Sequence, residues 1–246
     1  MTDSDHADVA SDIRAVARVG QICALFGSQV EELSAADIAE LTGLNRTTAY
    51  RYATSMVAAG ILDRGSRRGS FVLGGLMAEI GVRALGRRRI VELAAPFLRR
   101  LRDGAGMTAV LSIRGAVLPV VALVEEDTSH FVVVTVHPGT HLTATAAQTH
   151  LFLAHSDEAA FDAVATGLSV GERTRLATDV ERARTRGFAV AQHGGGIVVA
   201  SGPVYDEKGL VATVAVLGPG ELRTIGPVLD KVRETAAVLS ATLGAK

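Results

Sequence analysis

The stretch "SAADIAELTGLNRTTAYRYATSMVAAG", residues 34–60, has the pattern of two short helices joined by a tight turn. Ser34 and Asn45 are favourable N-cap residues, and each stands at the start of a run of apolar residues at helical spacing. Ala39 is small enough to let the two helices approach closely, and Gly43 can adopt the positive φ angle of the turn. This stretch therefore predicts a helix-turn-helix.

The apolar positions of the two helices predict which face of each is buried. Ile38 and Leu41 of the first helix, with Ala49 and Tyr52 of the second, are expected to face the core between them. The opposite surface of the second helix is polar and basic, as in helices that contact base edges and phosphates in the major groove of DNA. The DNA-facing residues predicted on this helix are Asn45, Arg46, Thr47, Thr48, Tyr50 and Arg51.

The next stretch, "ILDRGSRRGSFVL" (residues 61–73), predicts two short strands around a tip rich in glycine and arginine. Arg67 and Arg68 at this tip are placed to contact the minor groove or the DNA backbone as a wing. Residues 45–73 hold five arginines and one aspartate, a local net charge of +4, whereas the whole chain has a net charge of -1. A three-helix core with a solvated basic face is the alternative, and the hairpin that follows favours DNA binding.

Composition sets the broad class of the protein. The chain has 246 residues, of which 48% are hydrophobic, and its single cysteine, Cys23, excludes an internal disulfide. The N-terminal segment "MTDSDHADVASD" lacks the apolar centre of a signal peptide, and the longest apolar runs are too short to span a bilayer. These features predict a cytoplasmic globular protein with no membrane partner.

The second half of the chain has a different sequence pattern, in which short runs of β-branched residues are separated by turn residues. Strands and helices in this order predict an α+β domain with a mainly antiparallel sheet. Strands are expected over residues 109–113, 116–125, 130–136, 196–205 and 210–217, and helices over residues 157–166, 172–186 and 227–243.

Residues 34–75 as a whole resemble the winged helix-turn-helix of IclR-type transcriptional regulators. The likeness continues through "APFLRRLRDGAGMTAVLSI", "PGTHLTATAAQTHLFLA" and "RTRGFAVAQHGGGIVVASGPVYDEKGLVATVAVLGPGELR", so it covers nearly the whole chain in order. The resemblance implies a winged helix-turn-helix domain at residues 1–74, a linker helix at 75–89 and a GAF-like effector-binding domain at 90–246. It also implies a homodimer, with a tetramer left open, that binds double-stranded operator DNA and a small-molecule effector.

The same resemblance places an effector pocket between the start of a helix and the later strands of the sheet. The implied effector-binding residues are Ala146, Ala147, Val199, Ala215 and Leu217. Family members with small-acid effectors are expected to carry hydroxyl residues where this chain has Ala215 and Leu217. Alternation along the strand places Thr213 on the same face as these two residues. We therefore expect a largely apolar effector, such as an aromatic or alicyclic acid, whose carboxylate binds backbone N–H groups near Ala147.

A serine hydrolase is the alternative from another functional class. "GLSVG" (residues 167–171) has the spacing of a nucleophile elbow, and "HGGG" (residues 193–196) resembles the oxyanion loop of esterases. The two strings stand in the wrong order for that fold, and Ser169 with Glu172 fits a helix capping box. We therefore expect no enzyme activity. A GAF-like sensor that binds no DNA is the third alternative.

Three histidines, His137, His141 and His150, raise the possibility of a metal site, since imidazole is a common zinc ligand. Their spacing matches no standard site, and no cluster of carboxylates or cysteines lies near them in sequence. The sequence thus predicts no metal and no cofactor.

Overall fold

A computed structural model describes residues 13–27, 30–86, 89–129 and 136–245. The chain divides into two compact units, Met1–Ala84 and Leu85–Lys246. Unit 1 contains a small antiparallel sheet in the order β1 (Leu33–Ser34), β3 (Ser70–Leu73), β2 (Leu62–Arg64). Its core includes Ile22, Ile38, Ala49, Met56 and Phe71. Its elements are α1 (Arg14–Cys23), β1 (Leu33–Ser34), α2 (Ala35–Thr42), α3 (Arg46–Ala58), β2 (Leu62–Arg64), β3 (Ser70–Leu73) and α4 (Gly75–Gly86).

The predicted helix-turn-helix is confirmed, together with its caps. The hydroxyl of Ser34 accepts a hydrogen bond of 3.2 Å from the backbone N–H of Asp37, and the Asp37 carboxylate accepts one of 2.7 Å from the Ser34 N–H. The Asn45 side chain accepts a bond of 2.8 Å from the Thr48 N–H. Gly43 ends α2 with a φ of 69°. A side chain with a Cβ would be strained there, so glycine fits the turn.

The inward position predicted for Leu41 is wrong, since 59% of this residue is exposed. The buried residues of α2 are Ala35, Ile38 and Ala39. At 100° per residue, Leu41 lies well away from the centre of that stripe, although it is three residues from Ile38. Ala49 is fully buried and Tyr52 is half-buried, as expected.

Unit 2 is built on a five-stranded antiparallel sheet in the order β5 (Val120–Glu125), β4 (Thr108–Ile113), β8 (Gly209–Pro219), β7 (Ile197–Asp206), β6 (Ala189–His193). The α+β class and the antiparallel sheet are confirmed. The sequence did not predict α5 (Arg89–Ala105), which contains Pro96, or the short edge strand β6. The strand expected over 130–136 lies, apart from Val136, outside the described residues. The elements are α5 (Arg89–Ala105), β4 (Thr108–Ile113), β5 (Val120–Glu125), α6 (Ala147–Ala154), α7 (Glu158–Ala165), α8 (Val170–Arg186), β6 (Ala189–His193), β7 (Ile197–Asp206), β8 (Gly209–Pro219) and α9 (Gly226–Thr242).

The sheet of unit 2 has an apolar cluster on each face. Val214 and Val216 of β8 belong to the cluster formed with α5 and α9. Ala215 and Leu217 belong to the other cluster, formed with α6, α7 and α8. The alternation predicted for this strand is therefore confirmed. No helix in the described part of the chain combines the length and hydrophobicity needed to cross a membrane.

Candidate functional site

The outer surface of α3 carries the residues that sequence reasoning selected. Arg46, Thr47, Tyr50 and Arg51 are exposed, and Thr48 is partly buried. The buried residues of α3 are Ala49, Ala53 and Met56. The four exposed residues lie away from that buried face, in the first two turns of the helix. The Asn45 side chain caps the helix through its oxygen, so its NH₂ group remains available as a donor. The first two turns of α3 thus present two guanidinium groups and several hydrogen-bonding groups to solvent.

A groove of about 740 Å³ runs between α1 and α3. Thr48 and Arg51 are among the residues that line it, together with the apolar residues Val16, Val19 and Met56. Arg51 can therefore lay its methylene groups along apolar surface while its guanidinium group stays in solvent.

Glu32 holds the tip of the β2–β3 hairpin. Its carboxylate accepts hydrogen bonds from the Ser66 hydroxyl (2.9 Å), the Arg67 N–H (2.8 Å) and the Ser70 hydroxyl. A Cβ atom added at Gly65 would clash with this carboxylate and with the Ser70 hydroxyl, so any other residue there would require both side chains to shift. Sequence reasoning missed Glu32, because its partners lie 34 or more residues away along the chain.

The hydrogen bonds from Ser70 and the Arg67 backbone lower the pKa of Glu32 to about 2. A carboxylate whose pKa is lowered on folding stabilises the folded state above its ordinary pKa. That contribution is lost only as the pH falls towards the lowered value. The Glu32 carboxylate is therefore ionised, and its bonds to the tip are intact, at every pH near neutrality.

The two arginines of the tip differ in their partners. The Arg67 guanidinium lies 3.5 Å from the Glu32 carboxylate and donates to the Glu32 carbonyl at 3.1 Å. Arg68 is exposed and has no ion pair within the described residues. A third arginine, Arg64, lies over the rings of Tyr50 and Phe71 at 6.0 Å and 5.0 Å from their centroids. Arg64 thus connects the hairpin to α3, a contact that sequence reasoning did not find.

The implied effector residues lie together in unit 2. Ala147, Val199, Ala215 and Leu217 belong to one apolar cluster, and Val199 and Leu217 are paired across β7 and β8. Val199 and Leu217 are 7% and 8% exposed, and both alanines are fully buried. Ala146 is the N-cap of α6 and provides no side-chain cap, so the first turn of α6 lacks a side-chain acceptor for its N–H groups.

The three histidines differ in their surroundings. His150 is buried, and its Nε2 lies 3.1 Å from the carbonyl oxygen of Ala144. Burial lowers the pKa of His150, so its imidazole is neutral near pH 7. His137 and His141 are exposed, and the described residues contain no group of three or more His, Cys, Asp or Glu arranged to hold a metal ion.

The "GLSVG" string lies at the start of a helix. The Ser169 hydroxyl accepts a bond of 3.3 Å from the Glu172 N–H, and the Glu172 carboxylate accepts one of 2.8 Å from the Ser169 N–H. The capping box predicted for α8 is therefore confirmed. The "HGGG" string lies at the turn between β6 and β7, where Gly195 and Gly196 have positive φ angles.

Because Ser169 caps α8, we expect Ser169→Ala to lower the free energy of unfolding by about 1 kcal/mol. Thr178→Ala is the matched control, since the Thr178 hydroxyl only bonds back to the Thr174 carbonyl within the same helix, and alanine is a good helix former. Denaturant unfolding of both variants measures the difference. Saturable turnover of an activated ester that disappears in Ser169→Ala would contradict a purely structural role.

Comparison with known proteins identifies the same helix-turn-helix domain. The family model for the IclR helix-turn-helix domain matches residues 15–66. The transcriptional repressor AllR of Salmonella typhi is 26% identical over 228 residues, which cover 87% of this chain and 84% of AllR. The transcriptional regulator XynR of Escherichia coli K12 is 32% identical over 101 residues, or 41% of this chain and 40% of XynR.

Solved structures share the fold over almost the whole chain. An IclR transcriptional regulator from Silicibacter sp. TM1040 has a TM-score of 0.81 at 19% identity and covers 94% of this chain and 97% of its own. An IclR homologue from Microbacterium hydrocarbonoxydans, in complex with 4-hydroxybenzoate, has a TM-score of 0.73 at 20% identity, with 93% and 98% coverage. Residues 15–66 thus form an IclR-type helix-turn-helix domain, and the chain is similar to IclR-family transcriptional regulators over most of its length.

Proposed function

We propose that this regulator binds an inverted-repeat operator as a homodimer and that a small, largely apolar organic acid controls binding. The observation that carries the proposal is the exposed basic surface formed by Arg46 and Arg51 on α3 and Arg68 on the hairpin. In this assignment α3 enters the major groove and the hairpin contacts the backbone or the minor groove. Residues 1–74 bind DNA, residues 75–89 link the two functional regions, and residues 90–246 bind the effector.

The surface of α4 supports the dimer. Leu76, Ile80, Val82 and Leu85 are all exposed large apolar residues on one helix of 12 residues. At 100° per residue, Leu76 and Ile80 lie on one side of α4, and exposed apolar side chains grouped in this way are a common feature of protein interfaces. Pairing of this side of α4 with that of a second chain would remove Leu76 and Ile80 from water and hold two copies of α3 at a fixed spacing.

The effector assignment is supported by the apolar cluster around Ala147, Val199, Ala215 and Leu217. The bound 4-hydroxybenzoate of the Microbacterium homologue is an aromatic acid of the expected class. Control by such a ligand requires that it bind one arrangement of the dimer more tightly than another. The linker helices would convey that difference to the spacing of the two α3 helices.

Selection of bound duplexes from a random DNA pool tests this function. We expect an inverted repeat whose half-sites lie about 10 base pairs apart, or a multiple of that distance. A parallel selection with the double variant Arg46→Ala/Arg51→Ala is the control and should enrich no common sequence. Enrichment of single, unrepeated sites would contradict the dimer, and no enrichment by the unmodified protein would contradict the DNA-binding function and favour a sensor without a DNA partner.

The hairpin arginines should act on all DNA sequences alike. Each phosphate contact contributes about 0.9 to the slope of log affinity against log salt, so Arg68→Ala should flatten that slope by about this amount. We expect a smaller change for Arg67→Ala, because the Arg67 guanidinium also pairs with Glu32. Fluorescence anisotropy with operator and scrambled duplexes over a salt series measures the slopes.

Arg182→Ala is the control for the hairpin variants, since it removes one exposed arginine from unit 2. Its slope should equal that of the unmodified protein. Unchanged slopes in both hairpin variants would contradict the role of the hairpin as a wing.

A further inference from the structure

Two hydroxyl groups are buried without partners in the sheet of unit 2. Ser112 on β4 and Thr213 on β8 are directly paired across the two strands, and both residues are fully buried. Neither hydroxyl oxygen has a hydrogen-bond partner within the described part of the chain. Ser201 on the adjacent strand β7 provides a contrast, since its buried hydroxyl donates to the Val214 carbonyl at 3.1 Å.

An unpartnered buried hydroxyl destabilises the folded state, because its hydrogen bonds to water are lost and not replaced. Valine or alanine at these positions would avoid that loss with little change of shape. The hydroxyls of Ser112 and Thr213 therefore require an explanation other than packing.

The position of the pair connects it to the proposed effector site. Thr213 lies on the same face of β8 as Ala215, two residues or about 7 Å away along the strand. Ser112 lies on the same face of β4 as Val110, which is paired with Ala215 and belongs to the same apolar cluster. The α6 residue Ala147 also belongs to that cluster. The apolar cluster thus includes the first residue of α6, whose N-terminus has no side-chain cap. The two unpartnered hydroxyls lie beside this cluster on the same face of the sheet.

We propose that Ser112 and Thr213 bind a neutral hydrogen-bonding group of the effector, a hydroxyl carried on a ring or chain at the end opposite to its carboxylate. This inference rests on the proposed function, because it extends the apolar effector site by one polar contact. Each protein hydroxyl can donate and accept, and a ligand hydroxyl can do both in return.

A charged group does not fit this end of the site. The buried polar residues described in unit 2 carry hydroxyl, amide or imidazole groups, and none is Lys, Arg, Asp or Glu: Thr108, Ser112, Gln148, Thr149, His150, Ser201, Thr213 and Ser240. A second carboxylate would be buried next to Ser112 and Thr213 without a cation, which is strongly unfavourable. The effector class is therefore a hydroxylated aromatic or alicyclic monocarboxylic acid.

Calorimetry with two probe acids, benzoate and 4-hydroxybenzoate, tests the inference on the full chain. The unmodified protein should bind the hydroxylated acid more tightly. Thr213→Val and Ser112→Ala should each weaken binding of 4-hydroxybenzoate by about tenfold, the effect of losing one hydrogen bond at a buried site, and leave benzoate binding unchanged. The melting temperature of both variants should stay the same or rise, because an unpartnered hydroxyl has been removed.

Ser201→Ala is the matched control. It removes a hydroxyl from the same face of the sheet, but one that is already bonded to Val214. We expect a lower melting temperature and an unchanged ratio of the two affinities. A ratio that falls in Ser201→Ala as much as in Ser112→Ala would overturn the assignment to the unpartnered pair.

Three further results would overturn the inference. They are equal affinity of the unmodified protein for the two acids, an unchanged ratio in both Thr213→Val and Ser112→Ala, and no binding of either acid. In each case successful selection of an inverted repeat would leave the proposed DNA-binding function standing. Failure of that selection would remove the proposed function as well, so the two failures are distinguishable.

Discussion

Arg46→Ala and Arg51→Ala should each weaken binding to the selected operator by about 1–3 kcal/mol, which is about 5- to 150-fold in affinity. Arg46 is the first residue of α3, and Arg51 lies five residues further along. In a helix-turn-helix, the N-terminal residues of the second helix contact base edges. An arginine bonded to the O6 and N7 atoms of guanine loses both bonds when it is truncated, and the base regains only water.

The same measurement separates base contacts from phosphate contacts. If Arg46 contacts a base, Arg46→Ala should reduce the preference for one base pair in each half-site, and scrambled DNA should be affected less. Arg46→Lys retains the charge but not the bidentate hydrogen-bonding geometry. This variant should therefore bind scrambled DNA normally and lose its preference for the operator base pair. Competition anisotropy with single-base-pair variants of the operator gives both quantities.

Thr54→Ala is the matched control on α3. The Thr54 hydroxyl bonds back to the Tyr50 and Arg51 carbonyls of its own helix, so its removal should change operator affinity by less than either arginine variant. Operator affinity that stays unchanged in Arg46→Ala and Arg51→Ala together would contradict the assignment of α3 as the recognition helix.

Local features of this fold could be predicted from the sequence, because local interactions decide them. Ser34, Asn45 and Ser169 cap helices through bonds to residues three positions away, and the sequence shows both partners of each bond. The faces of β8 followed from simple alternation, since a strand turns each residue to the opposite side from its neighbours. The helix-turn-helix and its outward basic residues could be predicted for the same reason.

Features that depend on distant partners could not be predicted. Glu32 organises the hairpin tip through residues 34 to 38 positions away, and nothing near Glu32 in sequence marks it. Helix α5 is difficult to predict from sequence, since it contains Pro96, and proline in a helix interior usually kinks or breaks the helix. Ser112 and Thr213 are 101 positions apart, and only the pairing of β4 with β8 brings their hydroxyls together.

Organic acids with a ring should bind far more tightly than acids the size of glyoxylate. The side chains of the proposed site, Val199, Ala215 and Leu217, are all apolar, so affinity must come mainly from apolar surface removed from water. A ligand that buries about 200 Å² of apolar area gains on the order of 5 kcal/mol before the unfavourable entropy of ordering is subtracted. Glyoxylate has almost no apolar area and would retain only the contact of its carboxylate with the N–H groups at the start of α6.

Calorimetry with a graded series, from glyoxylate through butyrate to benzoate and cyclohexanecarboxylate, measures this dependence. We expect affinity to rise with apolar area in the unmodified protein and to rise less steeply in Leu217→Ser, which puts a hydroxyl into the site. Leu217→Met is the control, since it nearly preserves volume and polarity and should keep the steep dependence. Thermal melts of both variants show whether the domain remains folded. Tight binding of glyoxylate with no gain from rings or methylene groups would contradict an apolar effector, and so would an identical series in Leu217→Ser.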